Sequence, residues 1–253
     1  MTLVPLNPTC NCGKLNPPVR GFVTGITAMR SPLSFFQSAI GKKTVMAVTG
    51  IALFGFVLGH MVGNLKLYLG AESINHYGEF LREFGYPLLP HMAFLWIARI
   101  GLLVMVGLHI WSAWAVTRMN RAARPQKYLK RDSIAASYAS RTMRWGGVIL
   151  LLFIIYHLLH LTVGNVHPDF QHGEVYHNMI TGLSVPWVAG FYVLANIFLG
   201  LHLFHGLWSM FQTLGWAAAK NNDWRRKFAA VFAAVITLGN LSFPIAILTG
   251  LVQ

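Results

Sequence analysis

Five apolar runs, each about twenty residues or longer, constrain this chain more tightly than any other feature. They lie near Thr44–Leu69, Met92–Thr117, Trp145–Asn165, Trp187–Thr213 and Phe228–Val252. The hydrocarbon core of a bilayer is crossed by about 20 residues of helix. In lipid every backbone polar group must be satisfied internally, which leaves helices or a closed barrel. A barrel would show short stretches of alternating polarity, and these runs are continuous. The chain is 55% hydrophobic and 11% charged, against roughly a quarter charged in soluble domains. The expected fold class is all-α, an integral membrane protein with five transmembrane helices.

Charge gives an orientation. Of the 20 Lys and Arg residues, seventeen fall into three segments. The first holds Lys14, Arg20, Arg30, Lys42 and Lys43. Residues 118–144 hold Arg118, Arg121, Arg124, Lys127, Lys130, Arg131, Arg141 and Arg144, and residues 214–227 hold Lys220, Arg225, Arg226 and Lys227. With five alternating spans all three face one side. The opposite connections carry Glu72, Glu79, Glu83, Asp169 and Glu174, with Lys66 and Arg82 as their cations. Lys and Arg concentrate on the cytoplasmic side of membrane proteins, so the N-terminus is expected inside and the C-terminus outside. The basic face then meets anionic lipid and a cytoplasmic partner rather than nucleic acid.

The chain divides into an N-terminal cytoplasmic or interfacial segment, 1–43, and a five-helix transmembrane domain, 44–253. Segment 1–43 lacks the apolar core of a cleavable signal peptide, so the first span is expected to target the chain as well as anchor it. Cys10 and Cys12 fit neither a zinc ligand set nor a C-x-x-C-H haem attachment. They are assigned no role. RSPLSFFQSAIGKKT, before the first span, reads as an amphipathic helix along the interface. In residues 66–91, Ile74, Tyr77, Leu81 and Phe84 follow helical spacing and predict a short outer helix, closed off by Pro87 and Pro90. His167, His172 and His177 read as exposed loop histidines.

Four of the spans carry a histidine deep inside. Ionisable groups there are costly and mark function by default. At about 1.5 Å per residue, His60 and His157 fall near the outer level and His109 and His202 near the inner one. Two imidazoles facing each other at each of two depths are what two b-type haems need, since haem iron takes axial ligands from opposite sides. With both positions filled, the chemistry is electron transfer alone. Gly59, Gly107 and Gly200 adjoin the ligands and would leave room for a flat macrocycle. Gly55, Gly59 and Gly63 equally form a small-residue stripe of the kind that packs helices. His160 and His205 follow His157 and His202 by three residues, on nearly the same face. They are rival ligands or donors to a propionate or quinone. Arg99, in the second span, reads either as a partner for an outer haem propionate or as a snorkelling cation.

The segments TGIALFGFVLGHMVGN, GLLVMVGLHIWSAW, WGGVILLLFIIYHLLHL and GLHLFHGLWSMFQTLGW resemble the dihaem cytochrome b anchor of bacterial succinate dehydrogenases and fumarate reductases. The likeness runs over residues 36–252. It implies a four-helix haem-binding bundle within the five spans, with His60 and His157 on the outer haem and His109 and His202 on the inner. It thereby selects His157 over His160 and His202 over His205. It also implies a bacterial inner-membrane location, a flavoprotein and an iron–sulfur subunit as partners, and menaquinone or ubiquinone as electron acceptor or donor. An acidic residue implicated in quinone chemistry in some members has no clear counterpart, Glu79 and Glu83 being nearest. Two other readings compete: a dihaem subunit of a hydrogenase or formate dehydrogenase, and a haem-free, proton-coupled transporter.

Overall fold

The computed structural model describes residues 32–123, 138–216 and 222–253. The expectations on Cys10, Cys12, Lys14, Arg20, Arg30, Arg124, Lys127, Lys130, Arg131 and Lys220 lie outside these residues. The described chain is helical: α1 (Pro32–Gln37), α2 (Ala39–Asn64), α3 (Ala71–Glu83), α4 (Ala93–Ala122), α5 (Tyr138–Leu158), α6 (Val175–Leu183), α7 (Pro186–Thr213) and α8 (Asn222–Leu248). A 3₁₀ segment, Leu65–Leu69, continues α2, and a π-helical turn, Leu159–Val163, continues α5. Five of these helices, α2, α4, α5, α7 and α8, are long and apolar enough to cross a membrane.

The interfacial helix expected before the first span is shorter than its sequence suggested. α1 stops at Gln37 because Ser38 turns extended (φ −71°, ψ 159°) and caps α2, its hydroxyl accepting from the Gly41 N–H at 3.0 Å. A Cβ at Gly41 would strike the Phe35 carbonyl, so this tight reversal needs glycine.

The outer helix expected in residues 66–91 is α3, and its Ile74 is buried. One further helix, α6, was not foreseen; nine residues with mixed polarity left no readable period. Asn75 ties these two short helices together, donating to Glu174 Oε2 at 2.6 Å and accepting from the Tyr176 N–H at 3.0 Å. Together they cap one end of the bundle. Under the cap Leu67, Ile74, Met179, Leu183, Val188, Tyr192, Phe243 and Ile247 form one core, and Met61, Leu203, Ala233 and Ile236 form a second towards the other end.

Outside these cores the helices are apolar and uncovered. Leu103, Leu152, Val235 and Leu238 are all more than half exposed, which suits a surface bathed in acyl chains rather than water. Trp96, Trp145, Trp187, Trp216 and Trp224 are exposed close to span ends, where amphipathic indoles prefer the headgroup level. α2 packs on α4, α5 on α7 and α7 on α8. The pairs α2 with α5 and α4 with α7 are not among the closely packed ones within the described residues.

Candidate functional site

Those two loosely apposed helix pairs are the ones whose histidines meet. His60 of α2 faces His157 of α5 with ring centres 5.9 Å apart and planes at 87°. His109 of α4 faces His202 of α7 at 6.1 Å and 58°. The first pair lies near the capped end and the second nearer the other end. Their separation along the bundle follows from two contacts. Thr49 on α2 touches His109 and stands eleven residues from His60, about 16 Å of helix. Tyr192 on α7 touches His157 and stands ten residues from His202, about 15 Å.

The rivals within each doublet point elsewhere. His160, fully buried in the π-turn, stacks on Tyr156 at 5.4 Å and 16°. Its Nδ1 lies 3.0 Å from the Tyr192 hydroxyl. His205 sits edge-on to Trp208 at 6.3 Å. The π-turn ends where Gly164 bonds its N–H back to the Leu159 carbonyl and adopts φ +89°, with the Phe170 ring against it where a side chain would otherwise stand. Such turns shift the register of a helix and often occur at functional positions.

Each pair fits a planar, metal-bearing macrocycle. Two imidazole–metal bonds of about 2.0–2.1 Å, plus about 1.1 Å from each nitrogen to its ring centre, set the centres about 6.3 Å apart. Both observed separations lie within a few tenths of an ångström of that. A metal held by protein alone would need more donors, and among the described residues no cluster of three or more His, Cys, Asp or Glu side chains could supply them. A porphyrin brings four nitrogens of its own. Apart from their own helix backbone and chain neighbours, nothing described lies within 4 Å of a Cβ built on Gly59 or Gly107, so each leaves open space on its helix within two residues of an imidazole.

Gly200 is a correction. A Cβ there would collide with the Thr237 side chain, so this glycine serves the α7–α8 contact and not a macrocycle. The stripe of Gly55, Gly59 and Gly63 divides too: only Gly63 abuts another element, the ring of Tyr77 on α3. Arg99 lies with its guanidinium 5.2 Å from the Trp96 ring centre on its own helix. The outer loop histidines also differ from expectation. His172 is exposed, but His167 is half-buried, donating from Nε2 to the Asn178 carbonyl at 2.8 Å and accepting the Asp169 N–H at Nδ1. His177 bonds the Asp169 carboxylate at 2.9 Å.

Two hydroxyls escaped the sequence reading. Thr49 Oγ1 lies 3.1 Å from His109 Nδ1, and Tyr192 Oη lies 3.2 Å from His157 Nδ1. A Thr or Tyr in an apolar run gives little signal, because hydroxyls there commonly bond their own helix.

An all-helical membrane bundle with paired imidazoles at two depths is thus the class of protein the fold and site define. Residues 117–241, just under half of the chain, match the family model of the succinate dehydrogenase/fumarate reductase transmembrane subunit. The matched stretch includes His157 and His202, while His60 and His109 precede it. No curated protein and no solved structure matches the chain.

Proposed function

We propose that the chain is the cytochrome b anchor of a succinate:quinone oxidoreductase, carrying electrons between an iron–sulfur subunit and membrane quinone by way of two b haems. His60 and His157 would hold one haem and His109 and His202 the other. Held between two imidazoles, such a group would supply one-electron transfer and no oxygen chemistry. The observation that carries the reading is the pairing itself: imidazoles from helices that do not otherwise pack closely meet at about the spacing of two axial ligands, twice, about 15 Å apart.

The protein's own residues do three things in this scheme. The imidazoles ligate, the glycine surfaces at Gly59 and Gly107 admit a flat ring, and the apolar helices exclude water. Arg99 is the candidate partner of a propionate at the outer level. Glu79 and Glu83, both exposed on or beside α3, are the nearest acidic groups for quinone protonation. The charge asymmetry of the sequence supports a capped end outside and basic connections in the cytoplasm. There they would dock the flavoprotein and iron–sulfur subunits of a bacterial inner-membrane complex.

The deciding experiment is a dithionite-reduced-minus-oxidised spectrum of the purified complex, with analysis of its subunits. A b-type spectrum of two haems per chain, with a covalent or bound flavin in a copurifying subunit, is expected. An absence of visible absorption overturns the reading and favours a proton-coupled transporter. Two haems without a flavoprotein favour a hydrogenase or formate dehydrogenase subunit.

A further inference from the structure

Each imidazole pair is anchored on one side only, and the two anchors differ in kind. At the capped end Tyr192 Oη lies between His157 Nδ1, at 3.2 Å, and His160 Nδ1, at 3.0 Å. At the other end Thr49 Oγ1 lies 3.1 Å from His109 Nδ1. The opposite members lack such a partner. His202 Nδ1 is buried with no hydrogen-bond partner among the described residues, and His60, besides facing His157, stacks on the flat ring of Phe56 at 5.3 Å and 20°.

Proton positions follow from the donor inventory. The Thr49 hydroxyl donates to the Val45 carbonyl at 2.8 Å and lies 3.2 Å from that of Met46. Its single hydrogen is committed there, so the oxygen faces His109 as an acceptor and His109 carries its proton on Nδ1. The lone pair of His109 is therefore on Nε2, free for a metal. Tyr192 also has one hydrogen for two imidazoles. If His157 keeps its proton on Nδ1 and gives it to Oη, the phenol hydrogen goes to His160 Nδ1. His160 then holds its own proton on Nε2, which is buried and has no hydrogen-bond partner among the described residues.

We infer that Tyr192 and Thr49 are positioning residues, Tyr192 fixing the tautomer and electron donation of His157 and Thr49 those of His109, so that each hydroxyl tunes one haem and not the other. This rests on the haem reading above. A ligating histidine that donates its second N–H becomes a more basic ligand. A more basic ligand favours ferric over ferrous iron and lowers the reduction potential. Tyr192 also links the outer ligand to His160, so the two pairs are tuned by chemically different groups.

The test is a redox titration of b-type absorbance in native membranes containing the assembled complex, resolved into two components. Y192F keeps the ring and removes the hydroxyl; T49V keeps the shape and removes the hydroxyl. Y192F is expected to raise the potential of one component and T49V that of the other, each leaving its companion unshifted. T49S, which restores a hydroxyl, is expected to return the wild-type value. If both variants move the same component, or if neither moves any, the inference fails. Wild-type membranes with no b-type component would instead overturn the haem reading on which it stands.

Discussion

Gly200 on α7 and Thr237 on α8 are packed so closely that a Cβ on the glycine would run into the threonine side chain. The Thr237 hydroxyl cannot readily swing away, because it bonds the Ala233 carbonyl at 2.6 Å. G200A is therefore expected to destabilise the α7–α8 contact by about 1–3 kcal/mol, the usual cost of overpacking a tight interface. Thermal unfolding of the purified complex in detergent measures it. G190A, on the same helix at a glycine whose would-be Cβ meets nothing described beyond its own helix and chain neighbours within 4 Å, is the matched control and should unfold no earlier than the wild type.

Ligand identity is tested one histidine at a time. H60A or H157A should each remove one haem, leaving about half of the b-type difference absorbance, and H109A or H202A should remove the other. H160A and H205A should retain both, since the His160 ring stacks on Tyr156 and reaches His157 only through the Tyr192 hydroxyl, and His205 sits edge-on to Trp208. Haem assay by pyridine haemochrome, normalised to the chain, reads the result. Retention of both haems in H157A with loss in H160A would reverse the assignment.

Bulk beside the imidazoles should act on the cofactor and spare the fold. G59L and G107L place an isobutyl group where no described atom stands within 4 Å of the Cβ. Membrane insertion, judged by the amount of chain in the bilayer fraction, is expected to match the wild type while haem content falls for the adjacent pair. Unchanged haem in both variants would show that these glycines do not border its site.

The spans and the histidine depths were readable because each rests on a single strong term. Some twenty apolar residues in a row admit one solution in lipid, and a helix rises by a fixed amount per residue. Ile74 marked α3 for the same reason, since an amphipathic face shows its period. What was not readable depends on neighbours brought in from elsewhere in the chain. Gly59 and Gly200 look alike in sequence, but one faces open space and the other is filled by Thr237. His167 reads as a loop residue until the Asn178 carbonyl arrives to accept its N–H. Tyr192 and Thr49 gave no sign, because only tertiary contact shows whether a hydroxyl in a span turns to its own helix or to a histidine on another.

The cap also reports the direction in which the chain crosses the membrane. Asn178 is 5% exposed, and its amide closes a small loop from both sides. Nδ2 donates to the Gln171 carbonyl at 2.7 Å, and Oδ1 accepts the Gln171 N–H at 2.9 Å. N178L keeps the volume but removes both side-chain bonds to Gln171, whose carbonyl keeps only the Glu174 N–H at 3.3 Å, a loss of about 0.5–1.5 kcal/mol per bond. The loop around residues 166–174 should then open far more often than in the wild type, while the spans beneath it, held by their own packing, stay intact. A protease added to spheroplasts is expected to cut N178L within that loop and to spare the wild type under the same conditions. The cut should be absent from sealed inverted vesicles, the outcome expected from the positive-inside distribution of the sequence. Cleavage in inverted vesicles but not in spheroplasts would invert the topology, and with it the end of the bundle at which soluble partners dock.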